Sequence, residues 1–524
     1  MTLLSIFANH GIAVPLCTTH PNHELRYIVD NSEALVLLSS DKFKEKAQDI
    51  IKEEVRNKPI VAVEKIKEGK KSSENITLET PRSEEGGMML YTSGTTSRPK
   101  GVVLSQSVLT AQSRSLLKAW DYSKSDYLLH VLPLHHIHGT VNALLTPLYS
   151  GSTIEFLFPF NATAVWQRFA APFLALNGST ESTSSSTAHS ASTSSISLTT
   201  ESSDSPTHAT RPKPITFFTA VPTIYQRLLS TLSTLDGAAQ TAARTALAPA
   251  HLRLNISGSA ALPTPTKRAW RTLAGGNALL ERYGMTEAGM ALSGGLDAAD
   301  RVDGAVGWPL PGVQVRLVDE GGGVIAAGEE RDGRGVERLG EIQLRGLGVF
   351  DGYWRNEKAN AEEFVEAEDG GGRWFKTGDV AVRRDVPGAG EGKQEWCKGP
   401  AYFIMGRKSA DIIKTGGEKV SALEVEREML SLPEINECAV VGLPSEQWGQ
   451  KVAAVVVLSE SGKTAGKRGK PFGPMDLRRR LKDILANYKI PQEFVVVEEM
   501  PRNAMGKVNK KALVKDMFGD QTSK

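Results

Sequence analysis

The chain has 524 residues, 23% charged and 40% hydrophobic, enough for large buried cores and too many for one ordinary domain, so two or three are expected. Its 62 basic and 60 acidic residues leave a net charge of +2, which provides no general field for nucleic acid or an anionic membrane. Three widely separated cysteines, Cys17, Cys397 and Cys438, argue against a disulfide scaffold or a zinc site and favour a reducing compartment, and no apolar run reaches the 18 or so residues of a membrane span.

In chain order, Met1–Phe7 has no basic region ahead of its short apolar stretch and resembles neither a signal nor a transit peptide. The apolar run Met88–Leu90 leads into Tyr91-Thr-Ser-Gly-Thr-Thr-Ser-Arg-Pro-Lys-Gly101, followed by a helical pattern ending near Trp120. Tyr127–Leu132, Ile215–Ala220, Leu252–Ile256 and Ala278–Arg282 have strand length, and each precedes a polar or glycine-containing loop and a helical segment. Pro222 opens one such helix, carrying Tyr225, Arg227 and Leu228. Residues 177–210 are Ser, Thr, Ala and His with almost no bulky apolar side chain, and read as a disordered surface insertion. Glycine-rich stretches at 320–338 and 366–373, together with 384–399 and 462–473, read as loops.

Ala401–Met405 is a predicted strand and Ile412-Ile413 another apolar run. Ser421 with Glu424 forms a capping box, strands follow at Ala439–Val441 and Val452–Leu458, and a helix near Met475–Ala486. The order predicts an α/β protein: a large unit of stacked sheets with helices over 1–405 and a small α+β unit over 406–524. No internal repeat is present. The C-terminal Thr522-Ser523-Lys524 is not a peroxisomal address.

The 91–101 segment carries the strongest chemical signal. Its hydroxyls and backbone amides can cradle phosphate oxygens and Lys100 adds charge, although the spacing of the common NTPase loop is absent. With four further segments in order, it resembles the acyl-CoA synthetase family of AMP-binding, adenylate-forming enzymes. Those segments are Pro133-Leu-His-His-Ile-His-Gly139, Tyr283-Gly-Met-Thr-Glu287, Lys376-Thr-Gly-Asp379 with Gly406-Arg407, and Pro501-Arg-Asn-Ala-Met-Gly-Lys507.

The resemblance implies ATP, Mg²⁺ and coenzyme A as small-molecule partners. It implies that Thr92, Ser93, Gly94, Thr95, Thr96 and Lys100 hold the pyrophosphate part of ATP, that Thr286 contacts the α-phosphate, and that Glu287 binds Mg²⁺. Asp379, with Arg407 nearby, would receive the ribose hydroxyls, and Ser259, Ala260 and Tyr283 would flank adenine. Lys507 would reach the reacting carboxylate in the first half-reaction. Rotation about Ser409 or Ala410 would then exchange it for the Gly416-Gly417 loop, beside which coenzyme A enters. Read without the family, Asp379 could cap a turn, Glu287 could be a solvated acid and Lys507 one of many exposed lysines.

The acid activated is read from two arginines. Arg227 and Arg282 both fall near the carboxyl edge of the predicted sheet, where guanidinium forks suit carboxylates. The alternative is a solvated Arg227, with Arg282 paired to Glu281 or another acid. Val221–Leu229 and Glu281–Glu287 resemble the malonyl-CoA synthetase branch, which implies that both arginines bind the free carboxylate of malonate or methylmalonate and that His136 lines the acyl pocket. A medium- or long-chain fatty acyl-CoA ligase and a catalytically impaired homologue are the competing readings.

Three departures stand out. Ile12–Leu16 and Leu25–Val29 resemble segments well inside the family's first subdomain, so a leading portion of several tens of residues is expected ahead of Met1. As the sequence stands, a cytoplasmic location is expected, and a mitochondrial one if such a segment exists. Ser97 replaces a glycine common in the phosphate loop, and the hinge region has one more residue before Gly417 than many relatives. Nothing in the pattern fixes an oligomeric state.

Overall fold

The computed structural model describes residues 2–52, 55–64, 85–92, 98–174, 212–502 and 508–519. The insertion expected at 177–210 lies outside the described residues, as do Ser93, Gly94, Thr95, Thr96, Ser97 and Lys507.

Near the N-terminus, Val36–Ser40 and Ile60–Glu64 pair as a parallel two-stranded sheet. A second sheet is built on β1 (Gly87–Thr92) and β2 (Lys100–Ser105), antiparallel with Thr92 opposite Lys100. β2 is among the strands that sequence reasoning missed. The hydroxyl-rich segment is therefore flanked by two paired strands, and a strand, not a helix, follows it. The helix follows as α1 (Gln106–Trp120), with the Ser105 side chain accepting from the Val108 N–H.

The central sheet has seven strands. They are β3 (Tyr127–His130), β4 (Thr153–Phe156), β5 (Phe217–Ala220), β6 (Leu254–Gly258), β7 (Leu280–Met285), β8 (Gly289–Ser293) and β9 (Trp308–Pro309). Their spatial order is β9-β8-β7-β6-β5-β3-β4, with β4, β3, β5, β6 and β7 parallel. Helices α2 (Pro222–Thr231) and α3 (Thr264–Leu273) follow β5 and β6.

Buried strands such as Phe217-Phe-Thr-Ala220 are apolar on both faces because both are covered. Phe217, Leu254, Ile256 and Leu280 enter one core, while Phe218 and Ala220 enter another with Trp166, Tyr225 and Trp270. The chain order reverses between β3 and β5. In an open sheet of this kind that is where a crevice forms beyond the carboxyl ends.

A third sheet contains β10 (Gln314–Val318), β11 (Gly340–Arg345), β13 (Phe364–Glu366), β14 (Arg373–Arg384) and β15 (Ala401–Arg407). The short β12 (Gly352–Tyr353) instead joins the second sheet, antiparallel to β2. The last sheet comprises β16 (Ile412–Thr415), β17 (Glu418–Ser421), β18 (Ile435–Ser445), β19 (Gly449–Leu458) and β20 (Glu493–Val496). It carries α4 (Ala422–Leu430), α5 (Pro474–Leu481) and α6 (Lys510–Phe518), and has its own core around Val425, Val440, Val456 and Leu477. Helix α5 ends at Leu481, five residues before the expected Ala486, where a turn takes over at 482–484. The predicted capping serine is in place: Ser421 accepts from the Glu424 N–H at 3.0 Å.

Candidate active site

The carboxyl ends of β3, β5, β6 and β7 converge on one crevice. After β3, a π-helical turn over His138–Leu145 starts at the third histidine of the Pro133–Gly139 motif. Gly139 is obligatory there, since a Cβ would stand 2.2 Å from the Pro133 carbonyl oxygen. His138 is buried, with Nε2 2.6 Å from Thr219 Oγ1 of β5 and Nδ1 3.4 Å from Ser259 Oγ. Burial holds its imidazole well below the usual range, so it is neutral at physiological pH. Ser259 follows β6 at φ +68°, a left-handed conformation that is strained for serine and aims its hydroxyl into the crevice edge. Ala260 beside it is exposed.

Arg282, in β7, is 4% exposed and donates from Nη2 to Ser259 Oγ at 3.1 Å. Its Nε has no partner, and no acid pairs with it among the described residues. Burial pushes the guanidinium down to about 9. The pairing with Glu281 is excluded, because successive strand residues face opposite sides of a sheet. Glu281 instead accepts from Lys267 Nζ at 2.8 Å. Arg227 stands exposed on α2, with no hydrogen bond or ion pair from its side chain among the described residues. His136 is half-buried against His135, their ring centroids 4.4 Å apart, and it is His138 that the structure joins to Ser259.

Beyond β7, Thr286-Glu287-Ala288 makes the tight turn into β8. Glu287 is buried, not solvated. Its Oε1 accepts from the Tyr353 hydroxyl at 3.0 Å, and burial raises its carboxyl above the usual value. The Lys100 ammonium sits over the Tyr353 ring, 4.0 Å from the centroid, and 3.5 Å from Glu363. Tyr353 therefore stands between the Lys100 cation and the Glu287 anion and brings the base of the phosphate-loop hairpin to the β7–β8 turn. Sequence reasoning missed Tyr353, whose local signal is the aromatic pair after Gly352, and it singled out His136 without noting the buried His138.

Asp379 in β14 accepts from the Tyr283 hydroxyl at 2.6 Å and lies 3.4 Å from Arg407 Nε. Burial raises the Asp379 carboxyl. Burial opposes the Arg407 cation, but Asp379 and then Tyr283 and Glu287 outweigh it and push the group up. Arg407 also donates from Nη1 to the Thr377 carbonyl. Thr92 and Lys100 face each other at the base of the hairpin. Lys408, Ser409, Ala410 and Asp411 form the turn between the third and last sheets, and Gly416 and Gly417 form the β16–β17 turn at φ +57° and +84°.

The family description "AMP-binding enzyme" matches residues 1–175 and 196–354, and "AMP-binding enzyme C-terminal domain" matches 424–507. A CoA ligase of Gibberella moniliformis is 56% identical, covering 99% of this chain and 84% of that protein. The mitochondrial malonate–CoA ligase ACSF3 of Mus musculus is 39% identical over 97% of this chain and 78% of its own length. Among solved structures, ATP-bound MatB from Rhodopseudomonas palustris superposes with a TM-score of 0.73 at 28% identity, covering 99% of this chain and 86% of that one.

Proposed function

Because the chain belongs to the AMP-binding enzyme family and is an acid–CoA ligase working through an acyl-adenylate, we propose that its acid is malonate or methylmalonate. The observation that carries this reading is Arg282, a buried guanidinium with no carboxylate partner among the described residues. An unpaired buried charge is costly, and an acid with a second carboxylate would supply the missing partner. A fatty acid would leave the charge uncompensated. Arg227, exposed and without a side-chain partner among the described residues, is the second cation offered to that carboxylate.

In the first half-reaction one carboxylate oxygen attacks the α-phosphorus of ATP and pyrophosphate leaves. Thr92, Ser93, Gly94, Thr95, Thr96 and Lys100 hold the departing phosphates, and Thr286 and Lys507 donate to the developing charge. Asp379 accepts from the ribose hydroxyls beside Arg407, and Ser259, Ala260 and Tyr283 flank the base. Glu287 fits Mg²⁺: it is a buried carboxylate, a hard oxygen donor raised by desolvation, and a cation would relieve that penalty. Bound there, the ion would neutralise phosphate charge. In the second half-reaction the coenzyme A thiol attacks the acyl carbonyl and AMP leaves. The C-terminal unit turns about Ser409 or Ala410, withdraws Lys507 and presents Gly416-Gly417, whose missing side chains allow close approach of the pantetheine arm. The mouse relative makes a mitochondrial location part of the same reading.

ATP–pyrophosphate exchange across a panel of acids tests the substrate. Exchange with malonate or methylmalonate and not with octanoate is expected. Exchange with octanoate alone would refute the proposal.

A further inference from the structure

Lys510, at the start of α6, is half-buried and gripped by two carboxylates from different elements. Its Nζ lies 2.5 Å from Asp411 Oδ1 and 2.7 Å from Glu426 Oε1 of α4. Asp411 ends the 408–411 turn and is itself heavily engaged. Its Oδ2 accepts from the Arg407 N–H at 2.9 Å, its own N–H donates to the Arg407 carbonyl at 2.8 Å, and its carbonyl accepts from Ala422 at 2.8 Å. Only glycine fits at position 406, because a Cβ there would stand 2.3 Å from Asp411 Cβ. Glu426 Oε1 also accepts from the Val440 N–H of β18 at 2.8 Å. One ammonium thus joins α6, α4, β18 and the end of the connecting turn. Lys510 is three residues after Lys507 in the sequence.

We propose that Lys510 is a positioning residue for adenylation: its bonds to Asp411 and Glu426 anchor the base of the segment that bears Lys507 to the end of the pivot turn. The inference rests on the role given to Lys507 above. Three residues of chain reach at most about 10 Å, so a displacement of Lys510 is passed to Lys507 over a short tether. Asp411 is bonded to α4 and α6 on one side and to Arg407 of β15 on the other, so it closes the turn in which Lys408–Ala410 lie. Without the ammonium, Asp411 and Glu426 face each other as two anions and the anchor is lost. Misplacing a reacting group by an ångström can lower a rate by about 100-fold without altering ground-state binding.

The test measures both half-reactions in the full chain: malonate-dependent ATP–pyrophosphate exchange, and thioester formation from supplied malonyl-adenylate. Lys510→Met is expected to lower kcat for exchange by about 100-fold, with KM for ATP and malonate and the thioester step within about 3-fold of the parent. Lys510→Arg, which keeps the charge, should recover most of the exchange rate. Glu426→Gln leaves Asp411 to hold the lysine and should give a smaller loss confined to the same half-reaction, which keeps the inference testable if Lys510→Met fails to fold. Equal loss of both halves, or unchanged exchange in either the Met or the Gln variant, overturns it. Lys507→Ala separates the two claims. If that variant retains exchange, the role given to Lys507 fails. If it loses exchange while Lys510→Met does not, only the anchoring role fails.

Discussion

Arg282 shows what a single residue can reveal when its neighbours are counted. Among the described residues this guanidinium is shut away from water and bonded to a serine hydroxyl alone, which destabilises the empty protein, and on the proposed reading its counterpart is the bound acid. Arg282→Met should therefore lower kcat/KM for malonate by about 100-fold or more while leaving the KM for ATP nearly unchanged. The same variant should stabilise the ligand-free protein by roughly 1 kcal/mol or more, read from denaturant titration. Opposite signs for activity and stability would mark a binding charge, whereas loss of both would mark a structural one. Gly258→Ala should mimic the activity loss, because a Cβ there would stand 2.4 Å from Arg282 Nε and drive the guanidinium off β6. The arginine itself was legible in the sequence, from its place beside Tyr283-Gly-Met-Thr-Glu287. Its lack of an acid was not, because that depends on Lys267 reaching Glu281 from α3, a contact no local pattern encodes. The different surroundings of His136 and His138 were not legible for a related reason. Three histidines in four positions look alike until the π-helical turn buries one and half-exposes its neighbours.

At the scale of elements, the parallel strands were readable because burial on both faces leaves continuous apolar runs, and the observed strand ends fall within about three residues of those runs. The hairpin was harder. Lys100-Gly-Val-Val-Leu-Ser105 is a short apolar run beside a long helical pattern, and length alone does not separate the two. Its strand character comes from β1 on one side and β12 on the other, and β12 is some 250 residues away. Caps were legible where the side chain is local. Ser421 accepts from Glu424 and also donates to the Met405 carbonyl at 2.5 Å, so it fastens α4 to β15. Ser421→Ala should destabilise the C-terminal unit by about 1–2 kcal/mol, measurable by urea titration followed through Trp448 fluorescence.

For the molecule as a whole, the crevice concentrates buried acids that the empty protein would rather keep neutral. Glu287 and Asp379 are both raised above their ordinary values of 4.5 and 3.8 by desolvation. A carboxyl raised on folding contributes stability that is complete below its unfolded value and is lost as pH climbs through the folded one. The ligand-free enzyme should therefore lose these contributions as pH rises above about 4.5, while Mg²⁺–ATP, which on the proposed roles needs the ionised forms, should stabilise it more at pH 7 than at pH 5. Calorimetric melting with and without Mg²⁺–ATP checks both signs, and Glu287→Gln should flatten the ligand-dependent part. Among the described residues no helix is long and apolar enough to cross a membrane.

The pairing of β12 with β2 also constrains how the protein is made. Ser105 is bonded to Asp351, and Val102 lies opposite Tyr353, so the stem of the phosphate loop cannot be completed until the polypeptide has been extended far past it. At about 5–20 residues per second, a nascent chain waits roughly 12–50 seconds between emergence of the two partners. During that interval the Lys100–Ser105 edge is open to wrong partners, a hazard that codon-paced synthesis or a chaperone would have to cover.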